Sequence, residues 1–317
     1  MSDTFNHLHY LDKRLFSEIA NDAIHFDWES HLRLMKNLFS TFDFVVYFND
    51  KVLYRDDKIN LINNHTKSVS NQKVFLIKLH TNQNLSNHEI FIAADSLFIQ
   101  QDIILQKSEH ITKIHGCNNG EYISLNLNLS NQLFYAKTTF SIVNKFNSFF
   151  LNLKNKQKNK NEIIYNLSVD SNLIHHTFSD IQESQLSDDS IEVIHVKNST
   201  SKINYESLNR GKVSSQINSV ISKNSTGSST EQNLKHIAMT HTAITNSKPN
   251  LMISNSDVIA SHGNSIGSFS FNDLFYLQQR GLTHTQCLTV LSESKLNEFI
   301  SKTSSYHEIK EYIKDKI

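Results

Sequence analysis

Ile123-Ser124-Leu125-Asn126-Leu127-Asn128-Leu129-Ser130 alternates apolar and polar residues one for one. A period of two puts every apolar side chain of this stretch on one face of an extended strand. The reading is a strand with one buried and one wet side. Similar short β-rich runs lie on either side of it, at Phe44–Phe48, Val74–Leu79, Ile103–Leu105 and Ile191–Val196, each broken off by polar residues. Pro and Gly are scarce, 1 and 7 in 317 residues, so the turns fall to Asn, Asp and Ser, whose side chains bond locally to backbone. Many short strands with polar corners predict a mainly β chain built as a sandwich, a barrel or a β-helix, and no exact repeat chooses among them.

The ends read differently. Trp28, Leu32, Met35 and Phe39 recur at helical spacing, with Asp27 placed to cap the start, so residues 1–43 form a helical lead-in to a β-rich core over 44–269. After Ser270 the helical period returns and holds through residues 270–317. Ser270 and Asp273 stand at capping-box spacing before Leu274, Phe275 and Leu277, and Gly281 ends that helix. A second helix carries Leu288 and Leu291, a third Leu296, Phe299 and Ile300, and a fourth Ile309, Tyr312, Ile313 and Ile317. The basic run Lys154–Lys160 reads as a solvated loop between strands.

Composition narrows the function classes. Lys plus Arg equals Asp plus Glu at 31 each, which leaves no overall field to draw in nucleic acid or an anionic membrane. The first fifteen residues mix charged and apolar side chains and lack the apolar core of a signal peptide, and no stretch has the length of a membrane span, so a cytoplasmic location is expected. Cys117 and Cys287 lie far apart and outside any C-x-x-C pair, which fits two free structural thiols, Cys117 in a turn after Gly116. His175, His176, His195, His236 and His241 have neither the helical spacing nor the Glu of a metalloprotease motif, and read as packing or surface residues. Gly263-Asn264-Ser265-Ile266-Gly267 is followed by no Gly-Lys-Ser/Thr, which disfavours nucleotide binding.

Three ordered blocks carry a resemblance: Lys248-Pro249-Asn250-Leu251-Met252-Ile253, then Ser256-Asp257-Val258-Ile259-Ala260-Ser261-His262-Gly263-Asn264-Ser265-Ile266-Gly267, then Leu274-Phe275-Tyr276-Leu277-Gln278-Gln279-Arg280-Gly281-Leu282. Together they resemble the C-terminal signature of the SufB/SufD family of iron-sulfur cluster assembly scaffolds. The SufD side is favoured because Ser261-His262-Gly263 stands where SufB-like chains carry Cys-Gly-Ala-His, and Leu251–Ile253 holds no cysteine. Upstream, Asn198-Ser199-Thr200-Ser201 and Arg210-Gly211-Lys212-Val213 are similar to weaker family features.

The resemblance implies a right-handed parallel β-helix flanked by helical segments, working in a complex with a SufB-like scaffold and a SufC-like ATPase. It implies a non-catalytic scaffold subunit that supports iron acquisition and cluster assembly and pairs with itself when isolated. Within it, His262 is the candidate ligand to iron or to a nascent cluster shared with the partner, because neutral imidazole binds iron while one imidazole alone is too few donors. Leu274, Phe275, Tyr276 and Arg280 are the candidate docking residues on the first C-terminal helix, with part of that block in the core and Arg280 paired to a carboxylate across the partner contact or capping the helix end. Two rivals remain: a SufB-like scaffold that pairs with itself, and a β-helix enzyme acting on polysaccharide, for which Asp188, Asp189 and Glu192 would have to form a ladder of carboxylates.

Overall fold

The computed structural model describes the strands from residue 43 onward and, without a break, residues 134–153 and 158–304, followed by 306–314; side chains are described for 121–124, 135–153, 158–304 and part of the last helix. Residues 1–42 of the helical lead-in and 154–157 of the basic run lie outside the described residues, while Asp43 and Lys158–Lys160 are already strand. Strand order begins with β1 (Asp43–Phe48), β2 (Lys51–Arg55), β3 (Asn60–Leu61), β4 (Thr66–Val69), β5 (Val74–His80), β6 (Leu85–Ile92) and β7 (Leu97–Ile104). It continues with β8 (Ser108–Cys117), β9 (Gly120–Asn128), β10 (Phe134–Ile142), β11 (Lys145–Leu153), β12 (Lys158–Leu167) and β13 (Asn172–Ile181). The last are β14 (Leu186–His195), β15 (Thr200–Asn209), β16 (Lys212–Ile221), β17 (Ser228–Ala238), β18 (Ile244–Ile253) and β19 (Val258–Gly267).

From β5 onward odd strands pair in parallel with odd strands and even with even, giving a 10-stranded and a 9-stranded sheet. Chain that alternates between two parallel sheets winds as a β-solenoid, so of the three β architectures open to the sequence the parallel β-helix is the one formed. Residues stacked on successive turns are 23 to 32 positions apart, 28 for Asp170 under Asn198 and 29 for Ser201 under Thr230. The repeat is one of geometry, which is why no sequence repeat is visible.

Asn and Asp turn the corners as expected. Asp170 (φ 59°) and Asn198 (φ 57°) adopt left-handed backbone, and Gly227 (φ 71°) takes the same place one turn later. Asn and Asp tolerate that region better than other residues with a Cβ. Each corner then locks to the next: Asn198 Nδ2 donates to Asp170 Oδ1 at 3.0 Å, and the backbone N–H groups of Asp170, Asn198 and Gly227 donate to carbonyls of the following turn. Buried Ser171 and Ser199 donate to the carbonyls of Ser168 and Val196, fixing the residue after each corner.

Inside, the filling changes along the axis. Tyr122, Phe140, Phe146, Phe150 and Tyr165 form an aromatic block, with the Phe140 and Tyr165 rings stacked at 4.9 Å and Tyr122 edge-on to Phe140 at 5.0 Å. Toward β19 the interior becomes hydroxyl- and amide-rich, with Ser201, Ser215, Ser219, Thr230, Gln232 and His236 all buried. Large aromatic surfaces supply most of the burial energy in the first region. In the second, each buried polar group must find a partner.

Where its side chains are described, at Ile123 and Ser124, the alternating stretch differs from the expected pattern. Ser124 is in register with Phe150, a core residue, while Ile123 is in register with Phe149 on the outer face. Both are buried, at 2% and 1% exposure, because helices cover the outer face of this sheet. The polar side is therefore the inner one at this position, and neither side is wet.

Those helices are α1 (Phe271–Gln279), α2 (His284–Ile300) and α3 (Tyr306–Lys314). The helices expected around Leu288 and around Leu296 are one continuous α2. Ser270 makes no side-chain cap; the capping box forms at α2, where Thr283 Oγ1 accepts from the Gln286 N–H and the Gln286 side chain accepts from the Thr283 N–H. Gly281 ends α1 at φ 89°, as expected. Phe299 of α2 packs edge-on to Phe149 at 6.1 Å and against Phe178 at 5.6 Å, and Lys295 lies 3.7 Å from Glu206 of β15, so α2 is fastened across the outer face by rings and charge. A groove of about 670 Å³ remains beside it, walled by Phe178, Leu208, Arg210, Leu288 and Leu296.

Candidate functional site

β18 and β19 are the last strands of their sheets, and each is paired on one edge only. The solenoid thus ends in an open rung. Its lumen side is set by register: Thr245, Ser247, Pro249, Leu251 and Ile253 stack on the inward residues of β16, and Val258, Ala260, His262, Asn264 and Ile266 stack on those of β17. Lumen-side Ile253 and Ile266, which stack on buried Ile221 and His236, are uncovered here, and Met252 and Ile259 on the outward face are exposed as well. An exposed strand edge beside apolar side chains is a template for another strand.

His262 stands in the middle of this rung, exposed, directly above the fully buried Gln232. Asn264 beside it is tied to the opposite sheet: Ser247 Oγ donates to Asn264 Oδ1 at 3.0 Å, and Ser247 Oγ also meets His236 Nε2 at 3.0 Å. His236 is held at its other nitrogen by Ser207 Oγ at 2.8 Å. The mouth of the lumen is therefore a surface of ordered polar groups resting on a buried hydrogen-bonded interior.

The remaining histidines do not gather around His262. His175 is wholly interior, bonded to Ser148, Tyr165 and Thr177, and burial pushes its pKa well below the usual imidazole value. His195, held between Ser199 and Ser201, and His236 are lowered to about 4 by burial. His176 sits on the outer face stacked on Phe149 and is also lowered to about 4, by burial first and then by Lys302 and Lys202. His241 is exposed at a turn. Among the described residues no group of three or more His, Cys, Asp or Glu side chains is placed to share a metal ion.

The carboxylates required by the polysaccharide reading separate. Asp189 faces the lumen, where Tyr205, Asn161 and Ser187 all donate to it, whereas Asp188 and Glu192 lie on the opposite face of the same strand. Cys287 is buried in α2, and Cys117 ends β8 instead of occupying a turn.

On α1 the expected docking residues share one exposed surface. None of its residues is buried, which corrects the expectation that part of the block is core. Phe275 is 50% and Tyr276 56% exposed, Leu274 is partly covered, and Phe271, at 77%, lies 5.9 Å from the Phe275 ring. Arg280 is stacked over Tyr276, its guanidinium 4.6 Å from the ring centroid, while its backbone N–H caps the helix. Within the chain the side chain thus rests on an aromatic face. Phe271 was not singled out from the sequence, although the i, i+4 spacing to Phe275 was there to read.

Among the described residues no helix is long and apolar enough to cross a membrane. No curated protein matches the chain. Residues 121–294 match the family model described as SUF system FeS cluster assembly, SufBD core domain, a span that begins in β9 and takes in the open rung, His262, α1 and most of α2. That match covers more than half of the chain, and the protein belongs to the SufBD core family of the SUF system for iron-sulfur cluster assembly.

Proposed function

We propose that this chain is a SufD-like, non-catalytic scaffold subunit that pairs end to end with a SufB-like solenoid and carries a SufC-like ATPase on α1. The observation that supports this most is the open rung of β18 and β19, which combines unpaired strand edges, exposed apolar side chains and a centrally placed histidine. A second solenoid end is the natural complement, since it would continue both sheets and bury lumen-side Ile253 and Ile266. The uncovered Phe271, Phe275 and Tyr276 support a second, separate contact by α1.

Iron or the nascent cluster is cargo in this reading, held between subunits. His262 supplies one neutral nitrogen from the mouth of the lumen, and thiolates come from the partner, because β18 and β19 contain no cysteine. The SufD side is preferred to a self-pairing SufB-like scaffold for the same reason. A cytoplasmic site of action belongs to this reading, supported by the buried free thiol of Cys287.

The test is co-expression with SufB-like and SufC-like chains. The tagged chain should elute with both, and His262→Ala should leave the complex intact while lowering the iron it carries. Elution of the chain alone at every salt concentration would end the scaffold reading, and unchanged iron in the His262→Ala complex would remove the ligand role only.

A further inference from the structure

Gln232, on β17, reaches across the lumen to the other sheet. Its amide nitrogen donates to Ser219 Oγ at 2.8 Å and to the Asn250 carbonyl at 3.1 Å. A carbonyl accepts only, so the amide cannot be turned end for end, and Oε1 is fixed on the other side. That oxygen is buried, and no donor among the described residues bonds to it. An acceptor left so is costly, about 1–3 kcal/mol.

The neighbours that share its register narrow the source of a donor. On the last strand, the lumen-facing residues nearest Gln232 are Ala260, His262 and Asn264. Ala260 has no donor, and Asn264 is committed to Ser247 of β18 through both its oxygen and its nitrogen. His262 lies directly opposite, one strand spacing of about 4.8 Å away. Its ring carries one N–H in either neutral tautomer.

We propose that Gln232 is the positioning residue for His262: Oε1 accepts one ring N–H, selects one tautomer and leaves the other ring nitrogen with its lone pair at the mouth. The proposal rests on the scaffold reading for its purpose and on register and satisfaction for its geometry. A metal-binding histidine commonly gives its second N–H to an oxygen acceptor in this way, which fixes the ring and raises its basicity. The amide is itself held from below. Ser219 Oγ meets Thr230 Oγ1 at 2.8 Å, Thr230 Oγ1 meets Ser201 Oγ at 2.8 Å, and Ser201 Oγ meets His195 Nε2 at 3.0 Å. This column runs from the interior to the rung beneath His262, so the acceptor offered to the imidazole is rigid.

The experiment is nitrogen NMR of the full chain labelled at histidine, without metal, with His262 assigned by loss of its signals in His262→Ala. Wild-type His262 should show one bare nitrogen and one N–H protected from solvent exchange. In Gln232→Leu the two nitrogens should average and the N–H should exchange about tenfold faster, the loss of one hydrogen bond. Gln232→Glu, which keeps an acceptor in place, should retain the protected N–H. Unchanged His195 and His236 signals show that the fold has survived; if Gln232→Leu fails to fold, Gln232→Asn withdraws the oxygen by one methylene and carries the same expectation. Averaged nitrogens in the wild type, or identical His262 signals in wild type and variant, would overturn the proposal. A locked tautomer together with unchanged iron in the His262→Ala complex would leave the pairing standing and retire the ligand role.

Discussion

The hydroxyl of Tyr205 donates to the carboxylate of Asp189 across the solenoid interior, joining β15 to β14 where no water reaches. Burial pushes the Asp189 carboxyl above its ordinary range, against the pull of Tyr205, Asn161 and Ser187, and it pushes the Tyr205 hydroxyl well up as well. The Tyr205 shift keeps the phenol protonated, and so the donor. Tyr205→Phe should lower stability by about 2 kcal/mol, the scale of a hydrogen bond to a charged group. Asp189→Asn should be milder at neutral pH, since an amide oxygen still accepts and no charge is desolvated. Urea unfolding of the two variants decides it; a Tyr205→Phe chain as stable as the wild type would mean that the bond contributes nothing.

Acid should weaken the fold by way of its histidines. His176, His195 and His236 have folded-state pKa values of about 4 against an ordinary 6.5, so between those values the unfolded chain binds protons that the folded chain refuses. Their contribution is therefore complete above about pH 6.5 and is lost as pH falls toward 4. Asp189 works in the opposite sense, its contribution being lost as pH rises above the ordinary 3.8 through its raised folded value. Melting temperature measured from pH 7.5 to 4.5 should fall with acid, and His236→Gln should flatten the slope. A slope unchanged by that substitution would show that His236 titrates alike in both states.

Phe299 and Phe275 make a sharp contrast on the C-terminal helices. Phe299 is buried between Phe149 and Phe178, and Phe299→Ala should cost about 3–5 kcal/mol as a large cavity opens under α2. Phe275 is half exposed on α1, and Phe275→Ala should change stability by no more than about 0.5 kcal/mol. Chemical denaturation reads both. If α1 is the docking helix, Phe275→Ala should also reduce recovery of the ATPase partner in pull-down while Phe299→Ala is judged on stability alone.

Much of the architecture was written locally. The strands at Phe44–Phe48 and Val74–Leu79, the polar corners at Asp170 and Asn198 and the stop at Gly281 follow from period and turn chemistry. What escaped depends on contacts far along the chain. Alternation at Ile123 and Ser124 tells which residues share a face, but only the seat of α2 makes the apolar face the outer one. Ser270 and Asp273 had cap spacing, yet the working box is Thr283 with Gln286, where a Gln side chain can reach back to the N-cap N–H. Histidine counts gave no hint that His175 and His236 would be interior, because their acceptance there depends on Ser148 and Ser207 one turn away, while the partners of His195, Ser199 and Ser201, lie close in sequence. His262 was visible through its motif, whereas Gln232 became visible only when register placed the two together.

The change of filling along the axis also sets how the molecule should come apart. Solenoids are held by nearest-neighbour rungs, so disorder travels inward from an end as fraying. At β19 a strand with one free edge lies over hydroxyls and amides, which offer little apolar burial to resist opening. The aromatic block around Phe140 acts as a bulkhead where that fraying stops. A partner seated on β19 would turn the terminal rung into an internal one, so its first effect on amide exchange would appear at the mouth and fade toward Phe140, leaving the far side of the block untouched.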